Sequence, residues 1–227
     1  MPLRIGGIVL AAGAGSRMGY RPKCLMQRDG ESLLTGQLKA LSQVGVTELL
    51  LVLGHHAERI QQEACLRQFP VRTVRNPQPD AGHVGSLRAG LQALSPEPDA
   101  VMVVLADQAL INAQDMADLV GAFVSRPKGM DMLQPFVQGL PGNPVVFSMS
   151  VARQILASDA QVGARQWQQA HPEGLYRWET PNPHYRMDVD NEEDRQTLQA
   201  LTGHRLCWPD DLSQALGGWT EPVKPKE

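Results

Sequence analysis

Short apolar runs alternate with segments of helical periodicity along the first half of the chain. The strand-length apolar runs occupy residues 4–12, 47–53, 71–74 and 100–105. Apolar residues recur at helical spacing over residues 32–44, 56–69, 85–94 and 113–124. This alternation is typical of βαβ units, in which helices cover both faces of a parallel sheet. We therefore predict an α/β fold with three layers, α/β/α, around a mostly parallel, Rossmann-like sheet.

The second half of the chain has a different order of elements. Two strand-like runs, 132–137 and 144–147, flank a turn that is rich in Gly and Pro. Further helices are predicted at 151–157, 163–170 and 192–201, and a further strand at 175–178. From Pro209 onward, Pro, Gly and charged residues dominate, which predicts a loosely held end. We expect one domain over residues 1–205 and a C-terminal tail over residues 206–227.

Composition and charge narrow the classes of partner. The hydrophobic fraction of 42% is that of a globular protein, and a net charge of −3 gives no reason to expect a nucleic-acid partner. The widely spaced Cys24, Cys65 and Cys207 favour neither a zinc site nor a disulfide framework. We find no signal-peptide pattern and no apolar run of membrane-spanning length, so we expect a cytoplasmic protein. The adjacent His55 and His56 are predicted to lie at the surface.

A glycine-rich segment, LAAGAGSRMGYRPK at residues 10–23, follows the first predicted strand. Its glycines permit sharp turns and let backbone N–H groups approach an anion closely. Arg17 and Lys23 add the positive charge that a triphosphate requires. The glycine spacing is one residue longer than a dinucleotide-binding fingerprint, and no Ser or Thr follows Lys23 as in a P-loop. The segment predicts a phosphate-binding loop, and a plain strand-to-helix turn is the alternative.

Carboxylates follow at two later positions. Asp107 comes just after the apolar run 100–105, and the carboxyl ends of parallel strands share one edge of a sheet with the first loop. Asp188 and Asp190 point to the same face if the chain is extended there. Carboxylates in this arrangement suit Mg²⁺. From the residues alone, a turn aspartate and a capped helix start remain open.

Five motifs, in order, resemble those of the MobA-like nucleotidyltransferases, and most closely the molybdenum cofactor cytidylyltransferases. They are LAAGAGSRMG with Lys23, the loop 76–82 with Gly85-Ser86-Leu87, LADQ at 105–108, GNPVVF at 142–147 and DVDNEED at 188–194. The resemblance implies a sheet of the nucleotide-diphospho-sugar transferase type. It also implies Mg²⁺-dependent transfer of CMP from CTP to a phosphorylated acceptor, a molybdopterin-type cofactor, with release of pyrophosphate.

The same resemblance implies a role for each matched residue. The nucleotide-binding residues would be Leu10, Ala11, Ala12, Gly13, Gly15, Ser16, Arg17, Lys23, Asn76, Gly82 and Ser86. The catalytic residues would be Lys23, Arg17 and Asp107. The Mg²⁺ ligands would be Asp107 and Asp190, and the residues near the acceptor would be Asn143 and Asp188.

Single residues within these motifs indicate which base and which acceptor the protein would bind. In this family LAAG rather than LAGG accompanies CTP rather than GTP, and the methyl group of Ala12 would narrow the base pocket. Arg21-Pro22-Lys23 resembles the R-P-K of sugar-phosphate nucleotidyltransferases, and Asn143 stands where many cofactor enzymes have His. A sugar or polyol phosphate is therefore a second acceptor class. A third hypothesis is a non-catalytic nucleotide-binding module that carries a cofactor to a partner such as a molybdoenzyme.

Overall fold

The structure, a computed structural model, describes residues 3–213 of the chain. The strands of this part are β1 (Ile5–Ala11), β2 (Gln27–Arg28), β3 (Glu31–Ser32), β4 (Glu48–Leu53), β5 (Val71–Arg75), β6 (Ala100–Leu105), β7 (Met132–Val137), β8 (Leu140–Pro141), β9 (Val145–Ser148), β10 (Leu175–Glu179) and β11 (Leu206–Cys207). The α-helices are α1 (Leu33–Gln43), α2 (Ala57–Gln61), α3 (Gly82–Ala93), α4 (Ala113–Val124), α5 (Met149–Ala157), α6 (Ala164–Ala170), α7 (Glu192–Thr202) and α8 (Asp210–Ser213).

Eight of these strands form the central sheet. Seven follow the order β10-β7-β9-β6-β1-β4-β5, and β8 pairs with β7. The pairs β1 with β4, β1 with β6, β4 with β5 and β7 with β10 are parallel. β9 lies antiparallel to β6 and β7, and β8 is antiparallel to β7. The mostly parallel sheet that the alternating pattern predicts is therefore confirmed.

Helices cover both faces of this sheet. Side chains of α1 and α4 pack on one face, in a cluster that includes Val9 of β1. Side chains of α3, α5 and α6 pack on the other face, in a cluster that includes Ile8. Successive strand residues point to opposite faces, so β1 contributes to both cores, and each fully buried aliphatic side chain contributes about 1.5–3 kcal/mol. The predicted three-layer α/β/α fold is confirmed.

The helix predicted over residues 56–69 is wrong as a single element. Helix α2 ends at Gln61, and a separate 3-10 turn occupies Ala64–Arg67. The two residues that separate these elements, Gln62 and Glu63, are both polar and give the chain no apolar side chain to bury there. Because helices in proteins are stabilised chiefly by burial of an apolar face, α2 stops there.

A second, three-stranded sheet has the order β11-β2-β3 and is antiparallel. Leu206 of β11 pairs with Arg28 and is fully buried beside Met18 and Met26. Strands of two residues show no periodicity, so the sequence pattern predicts none of the three. Residues 206–213 lie beside the glycine-rich segment as a result. The rest of the predicted tail, residues 214–227, lies outside the described residues.

The helices of residues 3–213 are short. The longest, α3 and α4, have 12 residues each. A helix that crosses a bilayer needs about 20 mostly apolar residues. No helix in this part of the chain is long and apolar enough to span a membrane.

Candidate active site

The carboxyl ends of β1, β4 and β6 meet at one edge of the central sheet. Leu10 of β1 lies beside Val52 of β4 on one side and Leu105 of β6 on the other. The segments that follow these strands therefore converge, and the first of them is the glycine loop, residues 12–23. Among the predicted site residues, those that line the resulting cleft are Leu10, Ala11, Ala12, Gly13, Arg17, Lys23, Gly82, Ser86, Asp107, Asp188 and Asp190.

The other predicted site residues lie behind or beside this cleft. Gly15 and Ser16 belong to the tight turn of the glycine loop. Asn76 is buried, and its Nδ2 donates to Ser86 Oγ at 3.0 Å, so it orients a lining residue. Asn143 is held by its backbone, since its carbonyl accepts a 2.8 Å hydrogen bond from Gln108 Nε2. Gln108 directly follows Asp107, so the turn at Asn143 is joined to the end of β6.

Lys23 lies between two carboxylates. Its Nζ is 2.5 Å from Asp107 Oδ2 and 2.7 Å from Asp190 Oδ1. The side chains of Lys23 and Asp107 are only 17% and 21% exposed. Desolvation lowers the pKa of Lys23, but the two carboxylates raise it by more, so the net pKa lies above its ordinary value and the amine is protonated. The ammonium group marks a position where both carboxylates contact one cation.

Two further charged groups belong to this cluster. Arg17 Nη1 is 3.2 Å from Asp190 Oδ2, and the Arg17 side chain is 69% exposed. The hydrogen bond from Lys23, together with the charges of Lys23 and Arg17, holds the pKa of Asp190 below its ordinary value. Desolvation and the nearby carboxylates of Asp107 and Asp190 raise the pKa of Asp188. Since an exposed ion pair is weak, Arg17 is free to exchange its carboxylate partner for a phosphate.

The turn before α7 directs Asp190 into the cleft. Asn191 caps α7 by accepting the N–H of Asp194 at 3.0 Å, and Asp194 Oδ2 accepts the N–H groups of Asp190 and Asn191. The capped helix start and the cation-binding carboxylate thus occur together, on different residues. The N–H of Val189 donates to the carbonyl of Asp107 at 3.4 Å, which joins this turn to the end of β6.

The carboxylates of Asp107 and Asp190 fit a divalent cation. Both contact one cationic group, the Lys23 ammonium. Carboxylate oxygens are the donors that Mg²⁺ prefers, and Mg²⁺ often takes its remaining ligands from substrate phosphates and water. No group of three or more His, Cys, Asp or Glu side chains suited to a metal occurs within residues 3–213. The carboxylates of Asp107 and Asp190 could thus provide two protein ligands to Mg²⁺, with the remaining ligands from substrate and water.

The glycine loop is closed by its own backbone and supported from β4. The N–H groups of Met18 and Tyr20 donate to the Gly15 carbonyl at 2.8 and 3.0 Å. His56, which follows β4, is buried, and its Nε2 lies 2.9 Å from the Ala14 carbonyl. The prediction that His56 lies at the surface is wrong, because its ring supports the loop. Burial lowers the pKa of His56, which favours the neutral ring.

Two neighbouring glycines of the loop should respond differently to alanine. At Gly15 the φ angle is +65°, and a Cβ atom would lie 2.1 Å from the Arg21 carbonyl, whereas Gly13 has no such neighbour within 4 Å. We expect Gly15→Ala to lower the free energy of unfolding by about 2 kcal/mol or more, since strain and overlap add. Gly13→Ala should change it by less than about 0.5 kcal/mol. Urea denaturation measures both, and equal effects would contradict the loop geometry.

Comparison with known proteins identifies relatives over most of the chain. A family model described as the MobA-like NTP transferase domain matches residues 7–175. The bifunctional protein GlmU of Rhodococcus jostii (strain RHA1) is 34% identical over 134 residues, which cover 56% of this chain and 26% of GlmU. The chain therefore spans about a quarter of the length of the curated relatives that it matches.

Solved structures share the fold. A nucleotidyl transferase from Methanothermobacter thermautotroptrophicus has a TM-score of 0.70 at 22% identity, with 87% of this chain and 97% of that chain covered. A 4-diphosphocytidyl-2C-methyl-D-erythritol synthase from Anaerococcus prevotii has a TM-score of 0.68 at 18% identity, with 88% and 96% covered. At these identities the likeness shows the fold, a nucleotidyltransferase-type α/β/α sandwich.

Proposed function

The chain belongs to the MobA-like NTP transferase domain family, and from that premise we propose that it is a Mg²⁺-dependent nucleotidyltransferase that transfers CMP from CTP to a phosphorylated acceptor. One observation carries the proposal: Lys23 contacts the carboxylates of both Asp107 and Asp190 inside a cleft that the glycine loop lines. A phosphate-binding loop, a lysine and two metal-type carboxylates are the groups that phosphoryl and nucleotidyl transfer require.

The proposed reaction needs no covalent enzyme intermediate. An oxygen of the acceptor phosphate attacks the α-phosphorus of the nucleotide, the α–β P–O bond breaks, and pyrophosphate leaves. The N–H groups of the glycine loop and Arg17 hold the triphosphate, and Lys23 neutralises charge at the α-phosphate. Mg²⁺ held by Asp107 and Asp190 would supply charge neutralisation on the phosphate oxygens. The protein therefore contributes position and charge to an in-line displacement.

The preference for CTP is proposed from Ala12. This residue lines the cleft and is only 6% exposed. Gly54 packs against it so closely that a Cβ atom on Gly54 would lie 2.8 Å from the Ala12 Cβ. Because the Ala12 methyl group cannot move back toward β4, it reduces the width available to a base. A pyrimidine requires less width than a purine. The 4-diphosphocytidyl-2C-methyl-D-erythritol synthase from Anaerococcus prevotii shares the fold.

Removal of that methyl group should weaken base discrimination. We expect Ala12→Gly to lower the ratio of kcat/KM for CTP over GTP about tenfold, which is the size of effect that one methylene-sized change in a pocket produces. Ala14→Gly makes the same change in the same loop, at a position that does not line the cleft. It should leave the ratio unchanged. An unaltered ratio in Ala12→Gly would remove Ala12 as the determinant of base choice.

The acceptor is proposed to be a molybdopterin-type cofactor. Asp188 lines the cleft, and the Asn143 carbonyl accepts a hydrogen bond from Gln108, the neighbour of Asp107, which supports a role for both residues near the acceptor. The R-P-K similarity to sugar-phosphate enzymes has little weight here, because the Arg21 side chain is 5% exposed and bonds to Met18 rather than lining the cleft. We place the reaction, and any transfer of its product to a molybdoenzyme, in the cytoplasm.

A pyrophosphate-release assay tests the proposal. CTP, GTP, ATP and UTP are each supplied with Mg²⁺ and with the molybdenum cofactor, a sugar 1-phosphate or a polyol phosphate, and EDTA is the control. We expect release with CTP and the molybdenum cofactor, and none with EDTA. Release with GTP alone would overturn the cytidylyl proposal, and release with a sugar or polyol phosphate alone would overturn the acceptor. Nucleotide binding without release under any condition would indicate a non-catalytic carrier.

A further inference from the structure

A short C-terminal segment lies against the outer side of the glycine loop. We define this segment, residues 206–213, as the strap. It comprises β11, which pairs with β2, and the single turn α8. The strap lies beyond residues 7–175, which the family model matches, and none of its residues lines the nucleotide cleft. Its contacts with the loop therefore call for an explanation other than substrate binding.

Arg21 joins the strap to the glycine loop. Its side chain is buried, and its Nε donates to the Met18 carbonyl of the loop at 2.8 Å. On the other side, its Nη1 donates to the Leu212 carbonyl at 3.4 Å, and its guanidinium carbon lies 4.0 Å from the centroid of the Trp208 ring. A planar guanidinium can stack on an aromatic ring while its N–H groups donate outward in the guanidinium's own plane, which an ammonium cannot do.

This contact lies directly behind the groups that would bind the nucleotide. The Arg21 carbonyl packs against Gly15, the glycine that closes the phosphate-binding turn. Lys23 is two residues further along the chain. Burial disfavours the charged form of Arg21 and lowers its pKa, so the Trp208 face and the two carbonyls compensate for lost hydration. Loss of the Trp208 ring would leave this buried cation with fewer partners, and the loop around it would loosen.

The strap has a second, more superficial attachment. Asp211 Oδ2 is 2.8 Å from Arg59 Nη2 on α2, and these side chains are 59% and 30% exposed. An exposed ion pair of this kind contributes little to stability. Asp211 thus offers a matched control, since a change there perturbs the same segment without touching Arg21.

We propose that the strap is a positioning element for the nucleotide, and that Trp208 acts through Arg21 to hold the glycine loop in its phosphate-binding form. The substrate part of this proposal rests on the proposed function. The mechanical part, that Trp208 orders residues 12–23, does not. The two parts are therefore tested by separate measurements on the full chain.

Hydrogen exchange tests the mechanical part without any substrate. We compare Trp208→Leu, which removes the aromatic face, with Trp208→Phe, which keeps one, and with Asp211→Asn. We expect amide exchange at Met18 and Tyr20, whose N–H groups bond to Gly15, to rise about tenfold in Trp208→Leu alone, because local opening becomes easier. Exchange in β1 and β6 should not change. Unaltered loop exchange in Trp208→Leu would overturn the proposal.

Steady-state kinetics test the substrate part. Trp208→Leu should raise KM for the nucleotide about tenfold, with a smaller change in kcat. The reason is that part of the nucleotide's binding free energy is then used to order the loop. Trp208→Phe should restore the KM. If Trp208→Leu does not fold, Arg21→Lys, which keeps the charge but not the planar group, replaces it with the same expectations. Increased loop exchange without any nucleotidyl transfer would refute the proposed function and leave the strap's mechanical role intact. A normal KM together with normal loop exchange in Trp208→Leu would refute the positioning role of the strap.

Discussion

Replacement of Lys23 by methionine is expected to lower kcat/KM for nucleotidyl transfer about a thousandfold, the size of effect seen when one charge-stabilising group is removed from a phosphoryl-transfer site. Methionine keeps much of the length and apolar surface of the side chain but provides no charge at the α-phosphate. Lys39→Met is the matched control, because Lys39 is half-exposed on α1 and pairs with Glu31 outside the cleft. A loss of less than about tenfold would exclude a direct role in charge stabilisation.

The same substitution should strengthen metal binding while it weakens catalysis. The Lys23 ammonium occupies the position between Asp107 and Asp190 where we propose that Mg²⁺ binds. Without this competing cation, the affinity of the free protein for Mg²⁺ should rise about tenfold. Two neighbouring carboxylates repel each other, and a bound Mg²⁺ would then replace the positive charge that Lys23 provided. Isothermal titration with MgCl₂ measures the change. Equal affinities in the wild type and in Lys23→Met would show that the metal does not share this position.

The second large effect is expected at Asp107. Asp107→Asn keeps the shape of the side chain but removes its charge, and Asp107→Ala removes the ligand altogether. We expect Asp107→Asn to lower kcat about a thousandfold and Asp107→Ala to abolish measurable turnover, because metal-assisted charge neutralisation is lost. Both variants should keep the fold, since the buried cores do not include Asp107. Circular dichroism and the pyrophosphate assay measure the two properties.

A control and a rescue make the Asp107 result specific. Asp118→Asn removes a carboxylate from the exposed face of α4, where Gln114 Nε2 donates to Asp118 Oδ1 at 2.7 Å, and it should retain full activity. Mn²⁺ should restore part of the activity of Asp107→Asn if the defect lies in metal affinity. Unchanged turnover in Asp107→Ala would contradict a metal role for this residue.

The central sheet could be predicted because its strands are long and apolar. Leu49 to Leu53 of β4 and Val101 to Val104 of β6 are buried on both faces, which gives a continuous apolar run that is visible in the sequence. The small sheet could not be predicted, since Leu206 and Arg28 are distant in the chain and their strands have two residues each. Its register depends on tertiary packing around Met26, which no local pattern records.

The candidate site could be predicted from the sequence only in part. The motif resemblance leads to Lys23, Asp107 and Asp190, and the structure brings these three together. The supports of the loop were missed because they come from other elements: His56 from the end of β4, and Trp208 from the strap. The signal for His56 was its place at the carboxyl end of a predicted parallel strand, where side chains meet the glycine loop.

The most direct test of the central claim is a crystal structure of the chain with CTP and Mg²⁺ bound. We predict that the triphosphate lies along the glycine loop, that the ion contacts the carboxylates of Asp107 and Asp190, and that the Lys23 ammonium has moved onto a phosphate oxygen. A nucleotide bound away from residues 12–23, or a Lys23 that still bridges Asp107 and Asp190 beside bound CTP, would contradict it.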